Sequence, residues 1–381
     1  MAEEHSNPFR YGALALDDAF TDREGEIAEL RDDVMNGQDV VLFAPRRYGK
    51  SSLVWRVSQL LVRKRVLVAQ ADLMTTPTKE KLAEKLAKTI YEDVATRLFR
   101  AKERLRVFEG LRITPVVTVD PADGTLSFGF EAGRRKDDID ATLERLLELP
   151  AQLAADRDRR VALVLDEFQE IIDIDPLLPK LMRSVFQRQP DVAHVYLGSK
   201  RHMMEGIFND ENEPFWRSAK QVELGVIARR PFAAYIRRRF DDTGKAIEAT
   251  VLDDLLDMTG GHPYATQELC YFLWQETPTG EEARTARFAE ALTKVLRSEH
   301  AHFSLVWERA SKAQRLVLEA LAHEPGRPLS RDYARRHALP GSSTIQRALQ
   351  ALEREELVER QSGEWRIAEP FLGGWLLEAQ R

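Results

Sequence analysis

An apolar run of strand length leads directly into a loop that ends in Gly-Lys-Ser. Asp39–Ala44 reads DVVLFA, APRRYGKSS spans Ala44–Ser52, and a helical apolar pattern follows over Leu53–Val62. A strand, a loop and a helix in this order place backbone N–H groups and the positive helix end around a phosphate group. The segment therefore predicts a phosphate-binding loop. The alternative is a chance Gly-Lys-Ser at a helix start, and the correct flanks on both sides count against it.

Each residue type in this loop suits one part of a magnesium nucleotide. Gly49 allows close backbone approach, Lys50 can reach the β- and γ-phosphates, and Ser51 can ligate Mg²⁺. The first position of the pattern G-x-x-x-x-G-K-[ST] holds Ala44 instead of glycine. This departure of one methyl group puts the rate of hydrolysis in more doubt than binding. The residues expected to contact the nucleotide here are Pro45, Arg46, Arg47, Tyr48, Gly49, Lys50, Ser51 and Ser52.

Two carboxylates end a second apolar run. The segment VALVLDEFQE places Asp166 and Glu167 at the end of a buried strand, where a carboxylate is unfavourable unless it faces a cation or polar partners. Asp166 is expected to hold Mg²⁺, and Glu167 to polarise the attacking water. Taken alone, the pair would be better explained as a solvated loop. The phosphate-binding loop upstream favours the functional interpretation.

Two further polar residues follow the same logic with weaker support. Ser199 follows the next apolar strand, and a polar residue at that end is expected near the γ-phosphate or the attacking water. An ordinary strand-to-loop turn is its alternative. Arg217, in PFWRSAK, is a candidate arginine finger that acts on a neighbouring subunit. Its alternative is a surface cation.

Short apolar runs alternate with helical patterns over the first part of the chain, to about Leu224. Near-continuous apolar strands separated by helices predict an α/β fold with a parallel sheet covered on both faces. Helical spacing covers Thr78–Phe99 and Asp137–Ala155. The predicted strands are Asp39–Ala44, Arg65–Ala71, Val161–Leu165, His194–Gly198 and, less certainly, Gln221–Ile227.

The chain divides into three predicted domains. Residues 1–228 form the phosphate-loop domain, interrupted by a β-hairpin insertion over 111–133 whose two strands are joined by PADG. Residues 229–310 are helical, with TGGHP ending one helix and starting the next. Residues 311–381 read as three helices followed by a strand–turn–strand, which is the winged-helix order.

Composition excludes several classes of protein. No apolar run approaches the roughly 18–20 residues of a membrane span, and the start of the chain does not resemble a secretory signal. The only cysteine, Cys270, excludes an internal disulfide, which fits a reducing compartment, so a cytoplasmic location is expected. A net charge of −6 argues against a protein that coats nucleic acid through bulk charge.

With these motifs in hand, the chain resembles the archaeal-type ATPase family within the STAND class of P-loop NTPases, relatives of AAA+ proteins. The likeness runs from Asn7 to about Leu376. Six segments carry it in the family's order: NPFRYG with FTDREGEIAEL, APRRYGKSSL, VLDEFQE, LGSKRHMM, TGGHPY and EPFLGGWL.

The resemblance implies a five-stranded sheet in which the Ser199 strand lies between the strands of the phosphate loop and of Asp166. It also implies an ATP site beneath a helical lid, with adenine near Phe20 and Arg23 and the lid motif around His262 and Pro263. Members are thought to act as nucleotide-driven switches, often attached to a winged helix.

The third helix of the winged helix offers polar residues in its amino-terminal half, the half from which helix-turn-helix proteins contact bases. Acidic residues crowd the far end of this helix, and the charges of the domain nearly cancel. A module that packs against a protein partner is therefore an open alternative to DNA binding. The candidate DNA contacts are Arg335, Arg336, Ser343, Arg347 and Arg366.

The leading hypothesis is an ATP-hydrolysing switch, in which Mg²⁺-ATP fixes the lid and winged helix and hydrolysis through Glu167 releases them. If Arg217 is a finger, efficient turnover needs a homo-oligomer. Two rivals remain open. One is a DNA-binding regulator that uses ATP as a structural ligand with negligible turnover, and the other is a protein-interaction scaffold with a degenerate site.

Overall fold

The computed structural model describes residues 6–16, 20–98, 108, 116–119, 126–129, 136–156, 158–361 and 363–379. The chain forms two compact units. The α/β unit contains the described residues of Arg23–Arg46 and Lys50–Gly225. The helical unit contains those of Met1–Asp22, Arg47–Gly49 and Val226–Arg381. The predicted domain boundaries at 228 and 310 stay predictions.

The α/β unit is built on a parallel sheet, as the alternation of strands and helices predicts. In the described part of the chain this sheet has five strands in the order β2-β5-β6-β1-β7, and each neighbouring pair is parallel. Strand β6 therefore lies between β1 and β5, as the resemblance implies. The strands are β1 Val40–Phe43, β2 Leu67–Asp72, β5 Val161–Asp166, β6 Val192–Gly198 and β7 Lys220–Glu223.

Burial explains which strands the sequence predicts well. Strands β1 and β6 are buried along their whole length, and β5 is buried up to its last residue. Their sequences are therefore near-continuous apolar runs, with His194 of β6 as a buried polar exception. Strand β7 is an edge strand whose exposure alternates. It ends at Glu223 rather than at the predicted Ile227, because Val226 and Ile227 belong to the helical unit, where the Ile227 N–H donates to Gly261 O.

Helices flank these strands along the chain. The predicted helix Thr78–Phe99, whose last residue lies outside the described residues, is divided by a π-helical segment, Ile90–Ala95. In this segment Asp93 accepts a hydrogen bond from the Gln70 N–H of β2 at 3.0 Å. A 3₁₀ turn, Phe168–Glu170, follows β5. The helices are α1 Glu24–Met35, α2 Lys50–Arg63, α3 Lys79–Thr89, α4 Thr96–Leu98, α5 Lys136–Ala155, α6 Ile171–Ile174, α7 Leu178–Phe186 and α8 Arg201–Asn209.

The predicted hairpin insertion is present where the structure describes it. Strand β3, Val116–Val119, pairs antiparallel with β4, Leu126–Gly129. The PADG connection at 121–124 and the rest of 111–133 lie outside the described residues.

The helical unit contains the winged-helix order that the sequence predicts: three helices, α13 to α15, and the antiparallel pair β10–β11. One apolar core joins these elements to the preceding helices, and it includes Phe303, Leu318 and Phe371. The elements are α9 Arg229–Asp241, β8 Ala246–Ile247, α10 Ala249–Thr259, α11 Pro263–Glu276, β9 Glu282–Ala283, α12 Thr285–Arg309, α13 Lys312–His323, α14 Arg331–Arg336, α15 Ser342–Arg354, β10 Val358–Gln361, β11 Glu364–Ile367 and α16 Pro370–Ala379.

The TGGHP segment ends one helix and begins the next, as predicted. Gly260 ends α10 in the left-handed conformation, at φ 57°. Gly261 also has positive φ, and a Cβ there would lie 2.4 Å from Ile227 O, so only glycine fits this position. His262 caps α11, and Pro263 is its first residue.

Two ionisable side chains of α11, those of Cys270 and Glu268, are buried. Cys270 is fully buried, and burial raises the pKa of its thiol well above the ordinary value. Glu268 is also fully buried. Burial, followed by the charge of Glu299, raises the pKa of Glu268 from 4.5 to about 8, although Arg47 acts in the opposite direction.

We predict that Glu268→Gln stabilises the protein more strongly as the pH rises from 5 to 8. Over this range the folded state keeps a proton on Glu268 that the unfolded state releases, so rising pH removes stability from the wild type but not from the variant. The variant should gain about 1–3 kcal/mol at pH 8. Melting temperatures across this range test it, with the exposed Glu290→Gln as control. A pH-independent difference would contradict the assignment.

Candidate nucleotide site

The phosphate loop connects the end of β1 to the start of α2. Gly49 and Arg47 have positive φ, at 89° and 67°, and the glycine meets this requirement without strain. Ala44 is buried and is not among the described residues with positive φ. The methyl group that replaces the usual glycine hydrogen is therefore compatible with the backbone conformation of the loop.

Lys50 lies against the loop that precedes it. Its side chain is 7% exposed, and Nζ donates to Ala44 O at 2.6 Å and to Pro45 O at 3.2 Å. The ammonium group is thus held beside the backbone that the sequence predicts to surround the phosphates. The phosphate contact expected for Lys50 stays a prediction.

Asp166 and Ser51 come together as the sequence predicts. Ser51 Oγ lies 3.5 Å from Asp166 Oδ2, and Asp166 Oδ1 accepts from the Glu167 N–H at 2.9 Å. Burial raises the pKa of Asp166, with further increases from the charges of Glu167 and Asp72. The charge of Lys50 and the hydrogen bond from the Glu167 N–H act in the opposite direction. A hydroxyl and a buried carboxylate with two further acids nearby fit Mg²⁺, which prefers hard oxygen ligands.

Asp72 is a site residue that the sequence analysis missed. It ends β2 and is directly paired with Asp166 in the register of the two strands. A signal exists in the sequence, because Asp72 is a carboxylate at the end of an apolar strand, like Asp166 itself.

Glu167 is fixed by both its backbone and its side chain. Its φ is 52°, in the left-handed region, which is unfavourable by roughly 1–2 kcal/mol for a residue with a side chain. Its Oε2 accepts from Ser199 Oγ at 2.7 Å and from Gln169 Nε2. The structure therefore brings Ser199 to the carboxylate of Glu167, at the adjacent ends of β5 and β6.

Three further polar residues extend this contact, and the sequence analysis missed all of them. Gln169 Nε2 also donates to Glu170 Oε1 at 3.3 Å, and Lys200 Nζ lies 3.0 Å from the same oxygen. The sequence offers no clear signal for them, because Gln169 lies between Phe168 and Glu170 in what reads as a polar turn, although the structure buries it fully.

Arg217 lies apart from this group. It precedes β7, is exposed and has a φ of 50°, and its Cζ lies 5.2 Å from the centre of the Trp216 ring. The strands are parallel, so their amino ends all lie on one side of the sheet and their carboxyl ends on the other. Arg217 lies on the side of the amino ends, opposite to Lys50 and Asp166.

Arg23 has partners within the α/β unit. Its side chain donates to Glu26 Oε1 at 3.0 Å and to Gly225 O at 2.6 Å. These bonds join the start of α1 to the segment after β7. The adenine contact expected for Arg23 stays a prediction.

Phe20, His262 and Pro263 belong to the helical unit. His262 Nδ1 accepts from the Ala265 N–H at 3.2 Å, and within this unit the Tyr48 ring lies 4.7 Å from the His262 ring. Burial lowers the pKa of His262 to about 4, so the ring is neutral at pH 7. The nucleotide contacts expected for these three residues stay predictions.

The candidate DNA residues differ in their surroundings. Ser343 and Arg347 are exposed on α15. Arg336 instead forms an ion pair with Glu324, and Arg366 forms one with Glu359. Arg335 is exposed and lies 4.0 Å from Asp332. Neutralisation by neighbouring acids therefore reduces the positive surface that the sequence offers.

The phosphate loop, the paired acids and the parallel sheet define a P-loop ATPase. Residues 20–269 match the model of an ATPase domain found predominantly in Archaea, and residues 301–378 match that of a probable winged helix domain. The chain belongs to this family of archaeal-type ATPases. Among curated proteins, no sequence is significantly similar to it.

Solved structures share the fold at low sequence identity. A Walker-type ATPase of Pyrococcus abyssi is 15% identical, with 95% of this chain and 97% of that chain aligned at a TM-score of 0.67. The ORC2 protein of Aeropyrum pernix is 14% identical, with 99% and 98% aligned at a TM-score of 0.56. Within the described residues, no helix combines the length and apolarity that crossing a bilayer requires.

Proposed function

We propose that this ATPase is a Mg²⁺-ATP-hydrolysing molecular switch in which Glu167 activates the attacking water. The observation that carries this proposal is the conformation of Glu167, which combines positive φ with a carboxylate held by Ser199. Unfavourable backbone conformations persist where the surrounding structure enforces them, and they cluster at active sites. A protein that only bound nucleotide would not need this glutamate.

The binding step is assigned to the loop and the start of α2. Backbone N–H groups around Gly49 would surround the β-phosphate, and Lys50 would exchange its bonds with Ala44 O and Pro45 O for phosphate oxygens. Ser51 and Asp166 would hold Mg²⁺. Bound Mg²⁺ supplies charge that stabilises the phosphates in the transition state.

The hydrolytic step is assigned to Glu167 and Ser199. The Ser199 hydroxyl donates to Oε2 of Glu167, which orients the carboxylate as a proton acceptor for water. The remaining oxygen, Oε1, would take the proton as water attacks the γ-phosphorus and ADP leaves. Ser199 thus has a positioning role in this proposal.

The switch itself rests on the family resemblance. Phe20 and Arg23 near adenine, and His262 and Pro263 as the lid motif, would report the nucleotide state to the helical unit. Loss of the γ-phosphate contacts would then shift the population of conformations.

Replacement of Glu167 by glutamine should separate binding from hydrolysis. The amide cannot accept the proton, so we expect kcat to fall by about 100-fold or more while ATP still binds. Lys50→Ala should instead weaken ATP binding. Steady-state hydrolysis and nucleotide titration test both, with the exposed Glu211→Gln as control. Tight ATP binding by the wild type without turnover would favour the regulator that uses ATP as a structural ligand.

We further propose that Arg217 completes the site of a second copy of the chain. Its place at the amino-end edge of the sheet separates it from Lys50 by the length of β1, roughly 13 Å for four residues, so it cannot serve the phosphates of its own chain. Its exposure beside Trp216 leaves the guanidinium accessible to another subunit.

Mixing two inactive variants tests this role. Arg217→Ala alone should lose at least about tenfold in kcat, as arginine fingers supply more than this, and Arg188→Ala should have no effect. A mixture of Arg217→Ala and Glu167→Gln should hydrolyse ATP faster than either alone, because one interface then joins an intact Arg217 to an intact Glu167. The absence of any complementation would leave Arg217 as a surface cation.

DNA binding by the winged helix is the second candidate function. The exposed amino-terminal half of α15, with Ser343, Gln346 and Arg347, favours it. The ion pairs of Arg336 and Arg366 favour a protein partner instead, because paired arginines release fewer counterions from DNA.

The two alternatives differ in their response to salt. If α15 contacts DNA, Arg347→Ala should weaken duplex binding and reduce the slope of log K against log salt by about 1. Arg354→Ala, at the other end of the same helix, should change neither. Fluorescence anisotropy over a salt series measures both quantities. Failure of the wild type to bind duplex DNA at low salt would favour the protein-interaction module.

A further inference from the structure

Gln169 is a fully buried glutamine on the 3₁₀ turn after β5, two residues beyond Glu167. We propose that Gln169 is a positioning residue that holds the Glu167 carboxylate in the orientation needed for water activation. This inference rests on the proposed role of Glu167 and names a residue through which that role is achieved.

The orientation of the Gln169 amide follows from the chemistry of its neighbours. Nε2 faces Glu167 Oε2 and, at 3.3 Å, Glu170 Oε1. Carboxylates only accept hydrogen bonds, so the NH₂ group must face them and the carbonyl must point away. Each N–H of the amide thus serves one glutamate.

The carbonyl oxygen of Gln169 is the unfavourable end of this arrangement. Among the described residues, Oε1 is buried without a hydrogen-bond partner. It faces Gly198, where an added Cβ would lie only 2.9 Å from it. Burying an unpaired carbonyl reduces stability, so an apolar side chain of similar size would suit the fold better. The amide is therefore explained by what its NH₂ group does for Glu167.

The glutamate that accepts the second N–H of the Gln169 amide is itself held by Lys200. Lys200 Nζ lies 3.0 Å from Glu170 Oε1, the oxygen that accepts from Gln169. Lys200 directly follows Ser199, so the turn after β6 holds Glu167 twice: once through the Ser199 hydroxyl and once through Lys200, Glu170 and Gln169.

These bonds distinguish the two oxygens of the Glu167 carboxylate. Oε2 accepts one hydrogen bond from Ser199 and one from Gln169, so both of its lone pairs are occupied. Oε1 is the oxygen that we assign to the attacking water. Loss of Gln169 would free the carboxylate to rotate while leaving the phosphate loop intact, so kcat should change and the KM for ATP should not.

The test compares Gln169→Leu with Gln189→Leu. Gln189 is the matched control, a buried glutamine of the same unit whose amide donates to Leu147 O and whose oxygen contacts His194. Gln169→Leu should lower kcat about tenfold, with a KM for ATP within about twofold and an unchanged or higher Tm. Gln189→Leu should lower Tm and leave kcat unchanged. Gln169→Met serves as a second variant if the leucine does not fit.

A third comparison shows whether Gln169 acts through Glu167. In the Glu167→Gln background, Gln169→Leu should lower kcat no further, because residues that act as one unit are not additive. An unchanged kcat for Gln169→Leu would overturn the proposal. So would a lower kcat accompanied by a raised KM and a lowered Tm, since that pattern marks a structural role.

Wild type and Glu167→Gln are measured in the same assay, so the two proposals fail differently. If the wild type is inactive, or if Glu167→Gln is as active as the wild type, the proposed function fails and the role of Gln169 fails with it. If only Glu167→Gln is inactive and Gln169→Leu is normal, the proposed function stands and Gln169 has no part in it.

Discussion

The order of the parallel strands determines which side chains can meet at the site. Because β6 lies between β1 and β5, the carboxyl ends of these three strands are adjacent. The phosphate loop, the acid pair and Ser199 each follow one of these ends. Residues separated by more than 100 positions in the chain, such as Ser51 and Asp166, therefore approach within 3.5 Å. The interior of the sheet supports this edge, since β1 and β6 are buried along their whole length.

Several locally unfavourable features occur at this edge. Glu167 has positive φ, burial raises the pKa of Asp166, and Gln169 buries an unpaired carbonyl oxygen. Each would reduce stability without a compensating benefit. Such departures from local preference are expected where function constrains the sequence and a rigid scaffold supports it. Their coincidence around one carboxylate is why Glu167 is central to the proposed mechanism.

The sequence could predict the fold and the main site residues because their signals are local. Buried strands read as apolar runs, the phosphate loop has a fixed pattern, and Asp166 ends an apolar strand. The predicted end of β7 was wrong, because Ile227 is apolar for packing in the core of the helical unit. The bonds of Gln169 depend on the conformation of the turn after β5, and the bond from Lys200 to Glu170 joins the turns after two different strands. The ion pairs of Arg336 and Arg366 likewise join different elements of the winged helix. No local period or motif encodes such pairs.

The state of the single cysteine has a practical consequence. Cys270 is fully buried, and the raised pKa of its thiol leaves little of the reactive thiolate at neutral pH. We therefore expect the native chain to react very slowly with maleimide dyes, without removal of its cysteine by mutation. Two cysteines introduced on exposed helices, one in each unit, would carry a fluorophore pair without background labelling. Energy transfer between the two fluorophores would show in real time whether the distance between them changes when nucleotide is added.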